Sequence, residues 1–332
     1  MRAEVVVVGA GIMGAATAWA LARQGRDVLV VERFEVGHAR GSSHGRSRIL
    51  RVAYPEPEWV ELARDALTGW RTLERESGVE LLDPCGMLEL VPDFDQSSHR
   101  ALEACGVEHE LLSASEAERR FPVVVPDGWS VLVDPSAAVI RADLAHRALL
   151  DGALANGARV QERTRVDSLD DLDAEVVVVT VGPWIRTFVD IPVEVTRETV
   201  VYFGLRGAPI PALADLHPAL RGHAVYALHD PVHGVKAGVH CAGGRADPDD
   251  EGEPDQELVD RTAAWVARHL PGVDPSPVAA ETCFYTSTAD ESFILERRGR
   301  VVVGSACSGH GFKFAPVVGE RLAELSAPGQ VS

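Results

Sequence analysis

The chain has 332 residues, of which 46 % are hydrophobic and 25 % charged, and its 32 basic and 50 acidic side chains give a formal net charge of −18. This is the composition of a folded globular protein, which excludes a disordered or fibrous one, and the length calls for two domains or one large one. The acid excess and the lack of a basic tract exclude nucleic acid as a partner, since neutralising phosphates needs clustered positive charge.

Taken in chain order, Glu4 to Val8 is a β-branched run of the kind buried on both faces of a sheet. It enters Gly9-Ala10-Gly11-Ile12-Met13-Gly14, a GxGxxG. Ala15 to Gln24 predicts a helix stopped by Gly25, and Val28 to Val31 predicts a second strand that ends at Glu32. Gly9 permits the tight turn, Gly11 lets the backbone approach a pyrophosphate, and Gly14 lets helix and strand pack closely. Glu32 stands near the offset at which an acid accepts ribose hydroxyl bonds, which disfavours NADP but leaves FAD and NAD open. From Val36 to Pro55 there is no acidic residue, while Arg40, Arg46, Arg48 and Arg51 all fall there. Further strands are expected at Val176–Thr180, Thr199–Phe203, Val225–Leu228, Val235–His240 and Val301–Val303, with a last helix starting near Pro316. Asp247 to Asp255 reads as an exposed acidic turn.

Of the basic residues only Lys236 and Lys313 are lysine; the other 30 are arginine. GC-rich coding accounts for most of this imbalance, but not for the survival of two lysines. Lysine is a compact charge whose pKa can move, whereas arginine is planar and permanently charged. Five scattered cysteines (Cys85, Cys105, Cys241, Cys283 and Cys307) contain no CxxC pair, so neither a disulfide framework nor a zinc site is expected. His240 and His310 have no carboxylate at metal-ligand spacing, and no metal is expected. With no leader before the first strand and no long apolar run, a soluble, cytoplasmic protein without membrane partners is the expectation.

The basic loop reads Gly41-Ser42-Ser43-His44-Gly45-Arg46-Ser47-Arg48-Ile49-Leu50-Arg51-Val52-Ala53-Tyr54. It resembles the FAD-dependent amine oxidases of the D-amino-acid-oxidase superfamily, specifically the monomeric sarcosine oxidase and N-methyltryptophan oxidase group. Similar segments recur in order along nearly the whole chain: Asp134 to Ile140, Val176 to Trp184, Cys283-Phe284-Tyr285-Thr286, and Gly309-His310-Gly311-Phe312-Lys313-Phe314 followed by Gly319-Glu320. The resemblance implies an α/β protein of two domains. Residues 1–75, 140–195 and 285–332 form a Rossmann-like FAD-binding domain, and residues 76–139 and 196–284 a substrate domain dominated by β-sheet.

The resemblance also implies roles. Gly9, Gly11, Gly14, Glu32, Arg33, Ser42, His44, Gly309 and Gly311 contact FAD, and Cys283 carries it through an 8α-S-cysteinyl link. Lys313 and Arg51 clamp the substrate carboxylate, and the loop around Lys313 stabilises charge on the reduced flavin. Lys236 favours reduction of molecular oxygen from near the flavin ring, with His240 on the same strand face. Arg48 lies on the flavin face away from the substrate, and Tyr54, Tyr226 and Tyr285 line the pocket. The implied reaction is oxidation of a secondary, cyclic or N-substituted amino acid by hydride transfer to flavin, giving an imine and then hydrogen peroxide. A dehydrogenase using another electron acceptor and a non-catalytic flavin-binding protein are the alternatives, and a monomer is expected. Arg46 and the segment His229 to His233 depart from the sarcosine oxidases. Both are expected near the mouth of the site, which argues against sarcosine itself as substrate.

Overall fold

The computed structural model describes residues 2–215 and 223–328. Six strands form one sheet in the order Ile294–Arg298, Val301–Ser305, Asp173–Val179, Arg2–Val8, Val28–Val31, Arg159–Gln161. All neighbours are parallel except the Ile294–Arg298 and Val301–Ser305 hairpin. The valine runs are explained by burial on both faces. Val5, Val7 and Val178 pack under the helices Ile12–Arg23, Ala142–Ala155 and Ala315–Leu325, while Val6, Val8, Val177 and Val179 join Ile185 and Ile191 behind the sheet.

The first helix starts three residues earlier than the sequence suggested, because Gly11 is its extended N-cap and Gly14 lies inside its first turn. Small residues let this helix meet its neighbours: a Cβ on Gly319 would lie 2.6 Å from the Ala16 carbonyl, and one on Gly152 would lie 2.8 Å from the Trp19 ring.

A second sheet of nine strands carries the rest of the site. Its core is Glu194–Leu205, which pairs antiparallel with Val273–Ser287 on one edge and with Gly234–Val239 on the other; Val225–Asp230 follows. Alternation divides this sheet into two faces. Val201, Phe203, Val235 and Ala237 pack beneath the helix Gln256–His269, with Trp265 and Val266. The opposite face carries Tyr226, Leu228, Lys236, Val200, Glu281, Cys283 and Tyr285, and all seven line one cavity. A third, three-stranded sheet joins Ser47–Leu50, Ala138–Arg141 and Leu82–Pro84. No helix among the described residues is long and apolar enough to cross a membrane.

Candidate active site

A cavity of about 660 Å³ lies between the carboxyl end of the six-stranded sheet and the polar face of the nine-stranded one, and reaches from Glu32 to Lys313. That volume is within the usual range of cofactor clefts.

The Glu32 end is made of backbone. Gly9 has φ +96°, and a Cβ on Gly14 would sit 1.9 Å from the Gly9 carbonyl oxygen, so no larger residue fits where helix and turn close. A Cβ on Gly11 would lie 3.1 Å from Ser43 Oγ, which itself accepts the Ile12 amide at 3.0 Å. Glu32 is buried, and its carboxylate accepts the amides of Ala10 (2.8 Å) and Phe34 (2.9 Å). Burial works against the ionised form, but the bonds from His38, Phe34 and Ala10 outweigh it and hold the carboxyl below its usual value. The acid is thus fixed in its charged form at the cavity wall. Arg33 also borders the cavity, with its guanidinium 2.7 Å from Asp249 and over the rings of Phe34 and Trp184. His146, which sequence reasoning missed, donates from Nε2 to the Ala10 carbonyl at 2.6 Å and lines the same end.

The far end is made of charged and aromatic side chains. The Gly311–Phe314 turn buries Lys313, whose ammonium donates to Tyr54 Oη (3.1 Å) and the His310 carbonyl (2.7 Å). Arg51 stacks on the Tyr54 ring, its guanidinium 3.9 Å from the ring centre. Burial and the Arg51 charge push Lys313 well below the ordinary lysine value. Burial and the Lys313 charge likewise keep His310 neutral, and burial raises the Tyr54 phenol to about 12. A buried and a half-buried cation set side by side at the cavity wall form a site suited to an anion.

Across the cavity, Lys236 is buried and donates to the Ser47 carbonyl at 3.2 Å. Burial and Arg48 bring its pKa down to about 7. Arg48 donates to the carbonyls of Ser42, His44 and Ser47, so it braces the loop that carries the neighbouring residues. His44 is held near pKa 4, chiefly by burial and Arg48, and its buried Nε2 has no protein partner. Ser42 donates to the Phe284 carbonyl at 2.6 Å. The Cys283 thiol lines the cavity near the Ser42 and Phe284 carbonyls, at 3.9 and 3.8 Å; burial raises its pKa, while Arg48 and Lys236 oppose the rise. His240 follows the Gly234–Val239 strand and packs against Tyr285 at 5.6 Å between ring centres. Gly309, at φ +71°, leaves room for both rings: a Cβ there would lie 2.4 Å from Tyr285 and 2.6 Å from His240.

Of the residues expected to act at the site, Lys236, Lys313, Arg51, Arg48, His240, Tyr285, Gly9, Gly11, Glu32, Arg33, Ser42, His44, Cys283, Gly309 and Gly311 border this one cavity. Gly14 does not; it lies behind the turn, packed against the Gly9 carbonyl. Two further expectations need correction. Arg46 is exposed and does not line the cavity; it follows Gly45, whose left-handed backbone (φ +90°) turns the chain, and its carbonyl accepts the Ala142 amide at the edge of the three-stranded sheet. None of His229 to His233 lines the cavity either, since that hairpin turn points past the sheet; His229 faces Asp83 and His233 packs on Tyr202. These positions therefore give no reason to exclude sarcosine as a substrate. Nor do the histidines lack a carboxylate neighbour: the fold brings Glu291 beside His240 and Cys241, with donor atoms of all three within 4.8 Å of one another, a grouping that no sequence spacing announced.

The glycine cradle, the fixed Glu32, the unpartnered Nε2 of His44 and the excess of cations opposite fit a flavin dinucleotide, which carries phosphates at one end and a ring that becomes anionic on reduction at the other.

The chain matches the DAO family, described as FAD dependent oxidoreductase, over residues 4–325. It is 33 % identical to the peroxisomal sarcosine oxidase of Mus musculus, with 97 % of this chain and 92 % of that one aligned. It is 30 % identical to the monomeric sarcosine oxidase of Bacillus sp. strain B-0618, with 98 % and 93 % aligned. Among solved structures it superposes with a TM-score of 0.85 on NikD, an amino acid oxidase of nikkomycin biosynthesis, at 26 % identity, covering 100 % of this chain and 95 % of that one.

Proposed function

The chain belongs to the DAO family and is an FAD-dependent oxidoreductase, and from that premise we propose that it oxidises an N-substituted or cyclic amino acid at the carbon–nitrogen bond and passes the electrons to molecular oxygen. FAD, when bound, supplies the two-electron acceptor and the route to hydrogen peroxide.

The chain's own part is placement and charge. The observation that carries the reading is the pair of half-buried Arg51 and buried Lys313, joined through Tyr54 and open to the cavity. A substrate carboxylate arriving there provides a counter-ion for both cations and restores a full charge on Lys313. Such a fixed end group orients the reacting bond. Tyr285 and His240 then wall the amine end, with His310 kept neutral so that it does not add a third charge beside Lys313. On the opposite wall, Lys236 places a positive charge where reduction of oxygen builds up negative charge. We assign Cys283 as the covalent attachment point, supported by its position in the cavity and by the flanking Arg48 and Lys236, which offset part of the rise that burial gives its pKa.

The reading is tested by peroxide release from the purified protein with sarcosine, other N-methyl amino acids, cyclic amino acids and the matching amines without a carboxylate. Peroxide from the carboxylates alone is expected. Equal turnover of the decarboxylated amines would remove Arg51 and Lys313 from their role. Acid precipitation tests the link: the pellet is expected to stay yellow in the parent protein and to lose its colour in Cys283→Ala.

A further inference from the structure

The face of the nine-stranded sheet toward the cavity holds a carboxylate that the reading above does not use. Glu281 stands opposite Val200 across the Val273–Ser287 and Glu194–Leu205 pairing, and Tyr202 lies two residues further along the same strand face. Diagonal neighbours of this kind are within reach of long side chains. The Tyr202 hydroxyl accordingly donates a short hydrogen bond to Glu281 Oε1. On its other side, Tyr202 is the direct cross-strand partner of Lys236. Three adjacent strands thus set Lys236, Tyr202 and Glu281 in one row.

Gly45 shows how close the charges come. A methyl group on it would lie 3.2 Å from Arg48 Nη1, 3.7 Å from Glu281 Oε1 and 3.8 Å from Lys236 Nζ, so three charged groups surround a single point at the cavity wall. The groups acting on Lys236 come from each surrounding segment: Arg48 from the Ser47–Leu50 strand, Asp230 from the hairpin beside it, and Cys283 and Glu281 from Val273–Ser287. His44 adds a neutral ring on the same side. Asp230 is already engaged, accepting Ser47 Oγ at 3.1 Å and the amides of Val232 and His233. That leaves Glu281 as the carboxylate that both touches the cavity and meets the Lys236–Arg48 pair.

We infer that Glu281, fixed by Tyr202, is a positioning residue that holds the Lys236 ammonium and the Arg48 guanidinium side by side and preserves the charge of Lys236. Two like charges buried together repel and shed a proton unless a counter-ion is near. Burial and Arg48 act to discharge Lys236, and Cys283, Glu281 and Asp230 act against them, Glu281 being the carboxylate at the cavity wall. The raised pKa of Tyr202, caused by burial and by Glu281, keeps its phenol protonated and donating. The inference rests on the assignment of Lys236 to the oxygen step.

The composition offers a direct test, because the chain has only two lysines. In the holoenzyme grown with lysine carrying ¹³C at Cε, two signals are expected, and Lys236→Met assigns them. Their titration gives the pKa of each lysine without any turnover. Glu281→Gln is expected to lower that of Lys236 by about one to two pH units, the size of one charge interaction at a few ångströms in a protein interior. Lys313 is expected to stay in place. Tyr202→Phe is expected to shift Lys236 less and in the same direction, and Glu281→Asp to restore part of it.

An unmoved Lys236 in Glu281→Gln overturns the inference, as does an equal movement of both lysines, which marks a general rearrangement. The two readings fail separately. If Lys236 shifts while Lys236→Met is reoxidised by air at the parent rate, the coupling stands and the oxygen role falls. If Lys236 does not shift and Lys236→Met is slow, the reverse holds.

Discussion

Near Glu32 the cavity is bounded by glycines, backbone amides and one fixed carboxylate, whereas near Lys236 and Lys313 it is bounded by buried cations and phenols. The first end discriminates by shape: Gly14 has no room for a Cβ, and the closest group is a carbonyl oxygen that cannot move without the turn. The second discriminates by charge, with side chains from four different strands and a carboxy-terminal turn contributing to one space. An end made of backbone can only be filled or blocked, while an end made of charges can be tuned one group at a time. Mutations at the two ends should therefore fail differently.

The largest effect is expected at the backbone end. Gly14→Val forces a side chain into the Gly9 carbonyl, and soluble protein nearly free of flavin is the expected product, read from its visible absorbance. At the charged end, Lys313→Met should keep its flavin but lose on the order of 100-fold in kcat/KM for carboxylate substrates, the size of effect seen when one member of a buried charged contact is removed.

A graded effect is expected from pH. Lys236, with a pKa near 7, is an ammonium below that value and an amine above it. The rate of reoxidation by air is therefore expected to be high below pH 7 and to fall about tenfold per unit above it, until the uncharged pathway takes over. Stopped-flow mixing of reduced enzyme with aerated buffer measures this, and a flat profile would contradict the assigned charge. The smallest effect belongs to Arg46→Ala. This exposed residue lies outside the cavity, so kcat/KM for sarcosine should stay within about twofold of the parent.

How far the sequence could be read follows the same division. The nucleotide end is written in consecutive residues, because a strand, a glycine turn, a helix and an acid interact within one βαβ unit. Only the helix start shifted, as Gly11 could be read equally well as loop or as cap. At the charged end, Lys236, Lys313, Arg51 and Cys283 were legible through rarity and resemblance, but what surrounds each depends on strand pairing. Glu281 lies two residues before Cys283 in an alternating strand, a signal that could have placed it on the cavity face. Its bond to Tyr202 depends on a register between strands some 70 residues apart, and no local pattern contains that. The grouping of His240, Cys241 and Glu291 was hidden for the same reason. Arg46 misled because adjacency in sequence to Ser47 and Arg48 suggested adjacency to the cavity, while the turn at Gly45 sends it to solvent.

The most direct measurement of the central claim is a two-stage flavin titration of the purified protein. Sarcosine or a cyclic amino acid is added without air, and air is then admitted while peroxide is counted. The account predicts bleaching of the flavin absorbance by the amino acid, and recovery in air with peroxide equimolar to flavin. Absorbance unchanged by every carboxylate-bearing secondary amine, or bleaching that persists in air with no peroxide formed, would contradict it.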